Sequence, residues 1–458
     1  MKKKVLSILL ACAMTITLAA CGNTAAPEAA ATEGTAAEET ADAADAADAE
    51  EAPAEEAAPG PVTLNVTTTY AGNDGGAQIY QKYIAQYQDE TGNTINDASG
   101  TSDEAFKARV LADFEVGSEP DVLFYFNGQD SNSFVSAGKV VSIDDIRAEY
   151  PDYASNMKDE MLGASPADGV NYSVPVNGYW EAMFVNKEVI EAAGAEIPTA
   201  DTTWEEFLDI CQKIKDAGYA PIAASLAQVP HYWFEYSIFN HTSVATHCTL
   251  PESADDKVGT AWVDGLTDVK DLYEKGYFPE NTLSATDDET FQMFIDGKAA
   301  FLIDGSWKAG GIAEKTDNIE NFTVTYVPGM NDRKSTDMIG GLSSGYYITK
   351  KAWDDPEKRD AAVKFVEYMT TDAVVSEFAQ VSATALKNGV QVDESTLNAL
   401  QKDCLTLCSG ATGIAAAVQD LIPQPCRVPV FDGMPNLVTG KADISKSVQE
   451  VIDLIAEQ

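Results

Sequence analysis

Val62–Tyr70 alternates apolar and polar side chains, the two-residue period of a strand with one buried face, and Ala71-Gly72-Asn73-Asp74-Gly75-Gly76 breaks it. Over Gln78–Glu90 the period changes: Ile79, Tyr83, Ile84 and Tyr87 recur at helical spacing, and Gly92 is the stop signal. A weaker strand over Thr94–Ala98, a helix over Asp103–Val116 and a short apolar strand over Asp121–Phe126 follow. Further on, Thr203-Trp204-Glu205-Glu206 is a capping box, in which Thr203 accepts from the helix start and Glu206 reaches back. Phe207, Leu208, Cys211 and Ile214 make the apolar face of that helix, and Gly218 suits a left-handed stop. Thr286 and Glu289 repeat the box, Asp296-Gly297 closes the helix, and Ala299–Ile303 is the next strand. Asp355-Pro356 opens a helix through Phe365 and Val366, and Ile444–Ile455 reads as a terminal one. Strands alternating with helices predict an α/β fold whose sheets are mostly parallel and flanked by helices.

The first sixty residues follow a different pattern. Lys2, Lys3 and Lys4 precede an uncharged apolar stretch, Val5–Ala20, too short to span a bilayer comfortably, so residues 1–20 read as an export signal. The stretch ends in Leu18-Ala19-Ala20-Cys21, which resembles the lipobox of bacterial lipoproteins. That resemblance implies cleavage before Cys21, lipidation of its sulfur and a membrane anchor outside the cell; a plain secretory signal is the competing reading. From residue 22 to 60 the chain holds 11 acidic residues, no Lys or Arg and no large apolar side chain. Such a segment cannot bury enough surface to offset its ordering entropy, and residues 21–60 read as a lipidated cysteine followed by a disordered tether, with an acidic interaction tail as the alternative. The longest later uncharged run, Ala217–Phe234, carries Pro221 and Pro230 and is no span.

Of 458 residues, 73 are acidic and 30 basic, and 45% are apolar. The length and apolar content imply a folded body with more than one core, since single cores stop growing at roughly 250–300 residues. The acidity argues against nucleic acid, which is bound through clustered Lys and Arg, and against basic attachment to anionic lipid. Five cysteines remain in the body (Cys211, Cys248, Cys404, Cys408 and Cys426), an odd number that speaks against a fully paired framework. They read as small buried apolar residues, with one bridge involving Cys426 left open.

The order of segments resembles the bacterial extracellular solute-binding proteins of sugar-type ABC importers, the maltose-binding-protein-like group. The likeness rests on Gly117-Ser118-Glu119-Pro120-Asp121-Val122, Gly138–Asp145, Tyr172-Ser173-Val174-Pro175, Asn186-Lys187, Thr203-Trp204-Glu205-Glu206-Phe207, Gly297-Lys298-Ala299-Ala300 and Gly305-Ser306-Trp307. Phe184-Val185 departs from the aromatic usual before Asn186, and the last ninety residues match loosely. The resemblance implies two lobes joined by a hinge of crossing strands, with the ligand between them. One lobe would comprise 61–174 plus 328–375 and the other 175–327 plus 376–458. It further implies a monomer that captures a carbohydrate of oligosaccharide size, closes about the hinge and hands it to the transmembrane subunits of an ABC permease. No cofactor, no metal and no catalysis are needed.

A sugar offers apolar C–H faces and a rim of hydroxyls, so its site wants aromatic platforms beside Asp, Glu and Asn. Where strands are expected to end stand Tyr70, Asn73 and Asp74, then Tyr125, Asn127 and Asp130. Past the first crossing lie Asn177, Tyr179, Trp180 and Glu181; Tyr232 and Trp233 beside His231, Trp307, and Ser343 and Ser344 complete the expected site. These loops hold no Arg or Lys, which disfavours an anionic ligand. Trp204, Trp262 and Trp353 read as packing, and Asp121 as an anchor. Gly341-Leu342-Ser343-Ser344-Gly345 matches the G-x-S-x-G elbow of hydrolases, but all three histidines precede it and no helix is expected after it. The separations of His231, His241 and His247 fit no ligand pattern of a single helix. The alternative from another class is a surface glycoside hydrolase, whose carboxylate pair would be visible only in three dimensions.

Overall fold

The computed structural model describes residues 60–162, 164–342, 344–390 and 392–457. The expected leader, Cys21 and the acidic segment to residue 59, together with Ser343, lie outside the described residues. Among the described residues no helix is long and apolar enough to cross a membrane.

Among the described residues ten strands form two sheets: β1 (Thr63–Thr67), β2 (Thr94–Asp97), β3 (Val122–Phe126), β4 (Tyr179–Asn186), β5 (Ala220–Ile222), β6 (Ala299–Gly305), β7 (Phe322–Thr325), β8 (Asp337–Gly341), β9 (Ser344–Ile348) and β10 (Gly413–Ala415). The smaller sheet has the order β2-β1-β3-β9, parallel except for β9. The larger runs β10-β8-β4-β6-β5, with β7 also on β4, and there β4 is antiparallel to its neighbours. Each sheet anchors its own core. Leu64, Val66, Tyr80, Tyr346 and Phe365 pack around the smaller one, and Phe207, Trp233, Trp262, Phe301 and Phe431 around the larger. These are the two lobes.

The punctuation read from the sequence forms as expected. Both capping boxes close, at Thr203/Glu206 ahead of the Trp204–Asp216 helix and Thr286/Glu289 ahead of the Asp287–Ile295 helix. Asp103 caps the Glu104–Glu115 helix by accepting from the amide of Phe106 at 2.8 Å. Gly218, at φ 91°, takes the left-handed conformation that a side chain would strain. Trp204, Trp262 and Trp353 are buried as packing residues, Asp121 is fully buried on Lys358 at 2.8 Å, and all five body cysteines are free thiols.

The chain crosses between lobes after Val174, which bridges Tyr346, and reaches β4 through Asn177, which bridges Thr384. The return comes later than the expected 328. β8 pairs with β4 and β10 in the larger sheet, so the crossing back to the smaller sheet falls between Gly341 and Ser344. A third crossing follows the Asp372–Phe378 helix, where the amide of Gly178 donates to the carbonyl of Ala383 at 2.8 Å. The carboxyl ends of β1 and β3 on one side, and the β4 and β6 ends on the other, open onto the space between the lobes.

Candidate functional site

A cleft of about 400 Å³ lies between the two lobes. Its first wall is the loop after β1, with Tyr70, Asn73 and Asp74, and the start of the Glu104–Glu115 helix. Asn177 and Tyr179 line it at the hinge, and Glu181, Tyr232, Trp307 and Ser344 complete the set of expected residues that meet there. Strand geometry explains which neighbours are excluded. Side chains alternate between faces, so on β3 Phe124 and Phe126 reach the cleft while Tyr125 points into the opposite core, fully buried. On β4 Tyr179 and Glu181 line the cleft, whereas Trp180 turns away and donates its indole N–H to the carbonyl of Val381 at 2.7 Å. Tyr232 and Trp233 lie in the His231–Phe239 helix, not at a strand end, and the roughly 100° turn between them sends Trp233 into the core against Phe278. Asn127 and Asp130 are buried off the cleft wall, and Asp130 holds Arg427 at 2.6 Å and Lys107 at 3.1 Å.

The aromatic surfaces are held in place by their neighbours. Tyr70 stacks on Phe124 with ring centroids 4.7 Å apart and meets Phe378 at 4.9 Å. Tyr179 and Trp307 face one another at 6.2 Å and 41°. The indole of Trp307 folds back over the Cα of Gly305, and a β-carbon there would overlap the ring. The Gly305-Ser306-Trp307 spacing therefore has a physical reason: only glycine two residues before the tryptophan leaves room for this orientation.

Polar groups fill the remainder. Lys308, missed because it follows the tryptophan directly, is buried and pairs with Asp304 at 3.0 Å and Asp287 at 3.3 Å. Burial works against its charge, yet those two carboxylates hold its ammonium above the ordinary range. Lys107 also lines the cleft and pairs with Glu104 at 3.1 Å. The expectation of a site free of Lys and Arg is thus corrected: cations are present, each engaged by carboxylates of this chain. Asp420 comes from the loosely matching last ninety residues and gave no sequence signal. Glu235, beneath the cleft, accepts from His247 at 2.7 Å and from the amides of Val418 at 3.0 Å and Gln419 at 2.7 Å, so it positions the loop that carries Asp420. His241 is taken up by Asp268 at 2.7 Å, and among the described residues no cluster of three or more His, Cys, Asp or Glu could hold a metal ion.

Burial pushes Asp74 and Asp420 up to about 7, and pushes the imidazole of His231 down to about 3. A carboxyl raised on folding contributes stability that is present below its unfolded value, near 4, and is lost as pH rises through its folded value. The lowered histidine acts oppositely, its contribution fading as pH falls below about 6.5. With two carboxyls against one imidazole, the ligand-free chain should melt at a higher temperature near pH 5.5 than near pH 8. Thermal melts at the two pH values check this, and Asp74→Asn with Asp420→Asn should shrink the difference; an unchanged difference would place its origin elsewhere.

Two lobes, crossing strands and an aromatic, acid-rich cleft between them define a protein that encloses a small molecule. A sequence profile of the bacterial extracellular solute-binding proteins matches residues 71–375, and the chain belongs to that family. It is 23% identical over 292 residues to the sn-glycerol-3-phosphate-binding periplasmic protein of Agrobacterium fabrum, a match covering 62% of this chain and 64% of that relative. The maltodextrin-binding protein of Bacillus subtilis is 22% identical over 396 residues, covering 83% of this chain and 88% of its own. Among solved structures, a chitin oligosaccharide binding protein superposes with a TM-score of 0.74 at 21% identity, covering 87% of this chain and 98% of its own. The maltose/maltodextrin-binding domain of Bdellovibrio bacteriovorus does so with 0.66 at 17%, covering 86% and 100%.

Proposed function

We propose that this chain is the substrate-binding component of an ABC importer, capturing a carbohydrate, of oligosaccharide size, between its lobes and delivering it to a permease. The observation that carries the reading is Trp307 facing Tyr179 at 6.2 Å beside the carboxylates of Glu181 and Asp304 in one interlobe cleft. An aromatic face covers the C–H side of a pyranose, and carboxylates accept from its hydroxyl rim. Maltodextrin and chitin oligosaccharide relatives support the same substrate class. The mature chain acts as a monomer, exported and held by a lipid on Cys21, with the acidic segment as its tether; the leader pattern supports this part of the reading. Binding alone suffices, without catalysis or cofactor: closure around the ligand gives the permease a different surface to meet.

A thermal-shift screen against mono- and oligosaccharides, amino acids and peptides tests the proposal. Ligand at a hundredfold excess over its Kd adds about 2.7 kcal/mol of stability. A sugar hit with the sugar recovered intact supports transport, cleavage products support a hydrolase, and hits confined to peptides or amino acids overturn the carbohydrate class. Trp307→Ala should weaken the hit by about 1–3 kcal/mol while the ligand-free melting temperature stays within a few degrees. Titration calorimetry on the variant reads this, and unchanged affinity would show the indole to be packing.

A further inference from the structure

The cations around the cleft are already matched. Lys308 is held by Asp287 and Asp304, Lys107 by Glu104 and Asp130, and Arg427 by the same Glu104 and Asp130. Several carboxylates are also occupied: Asp74 accepts from the amide of Gly76 at 2.7 Å, and Asp288 takes the amide of Asn73. Glu181 is different. It lines the cleft, it is 2% exposed, and its buried Oε2 has no hydrogen-bond partner among the described residues. Asp420 lines the same cleft, and the cations that act on it, Lys107 and Arg427, are paired with Glu104 and Asp130.

A buried carboxyl without a donor carries the full desolvation cost of its oxygen, so a ligand that displaces water from this cleft has to bring donors to it. Neutral sugar hydroxyls supply hydrogen bonds and no charge. An ammonium supplies three donors and the positive charge that this wall lacks. A bound metal ion would need a ligand cluster, and none exists among the described residues.

We infer that the carbohydrate taken by this cleft carries a free, protonated amine, an amino sugar without an N-acetyl group, whose ammonium sits with Glu181 and Asp420. The inference rests on the carbohydrate reading above. Burial, then Glu235, Asp304 and Asp420, push the carboxyl of Glu181 well above its usual range, and a neighbouring ammonium acts in the opposite direction by favouring its charged form.

Titration calorimetry on the chain as exported, near neutral pH, compares glucosamine oligomers, their N-acetylated counterparts, malto-oligosaccharides and spermidine. The glucosamine oligomers should bind at least about tenfold more tightly than the acetylated ones, and Glu181→Gln or Asp420→Asn should erase that preference. Each variant removes an acidic group from the cleft and should melt no lower than the parent, so lost preference is readable apart from lost fold. Acetylated or neutral oligomers binding as tightly as the amine form overturn this inference and leave the carbohydrate reading standing. Spermidine binding with no oligosaccharide binding, or no binding at all, overturns the carbohydrate reading and this inference with it.

Discussion

Arg427→Ala should lower ligand affinity by at least about a hundredfold, close to 3 kcal/mol. The guanidinium is 1% exposed and reaches from the larger lobe to Asp130 at 2.6 Å and Glu104 at 3.3 Å on the smaller one, while its Nε donates to the carbonyl of Ile422 at 2.8 Å. Burial would raise the carboxyl of Glu104, yet Lys107 and Arg427 hold it below its usual value, a sign that both cations are felt there. Without Arg427, the buried Asp130 and the half-buried Glu104 share Lys107 alone. Removing one partner of a buried ion pair costs about 3–5 kcal/mol because the other charge stays desolvated. That cost falls on the arrangement in which the lobes touch, since opening hydrates Glu104 and Asp130. Calorimetry should therefore show the affinity loss while the ligand-free melting temperature drops by only a few degrees. Arg427→Lys, which keeps the charge and loses the fork, should fall between. A large fall in melting temperature with unchanged affinity would make the cluster a structural clamp of the fold.

Gly75→Val should be comparably damaging, by steric means. A β-carbon at Gly75 would overlap the carbonyl oxygen of Trp307 and lie 2.8 Å from the Cα of Gly310. One at Gly310 would meet the Cα of Gly75 at the same distance, so the lobes touch here backbone to backbone, with no flexible side chain to yield. Gly75 sits in the loop after β1, outside the left-handed region, so valine is compatible with its own conformation and the separate lobes should fold normally. The expected result is a loss of at least about a hundredfold in affinity with a ligand-free melting temperature unchanged or slightly raised, since a side chain reduces unfolded-state freedom. X-ray scattering should then show no ligand-induced compaction. Full affinity in this variant would mean that the lobes need not approach this closely.

Much of the local structure was legible in the chain because its causes are local. The capping boxes at Thr203 and Thr286, the strand period over β1 and the short apolar run of β3 depend on residues within one turn or one pleat. The packing roles of Trp204, Trp262 and Trp353 followed from their places in helices. Trp307 and Tyr70 could be placed near the cleft because strand ends in open sheets face the crevice. Tyr125, Trp180 and Trp233 could not, since one residue along a strand, or a hundred degrees around a helix, separates cleft from core.

The sequence by itself determined an α/β chain with an export leader pattern, an acidic segment ahead of the body and aromatic residues at expected strand ends. Tertiary structure alone decided which of those aromatics face the cleft, and that β8 belongs to the larger sheet. It alone decided that Arg427 meets Asp130, 297 positions earlier, and that Gly75 meets Gly310. The reason is physical. Caps and periods are set by neighbours a few bonds away, whereas charge pairing and backbone contact between lobes depend on distances that only the folded chain defines, and in a body with 62 acidic side chains no local pattern marks Glu181 as a cleft residue whose buried oxygen lacks a donor among the described residues.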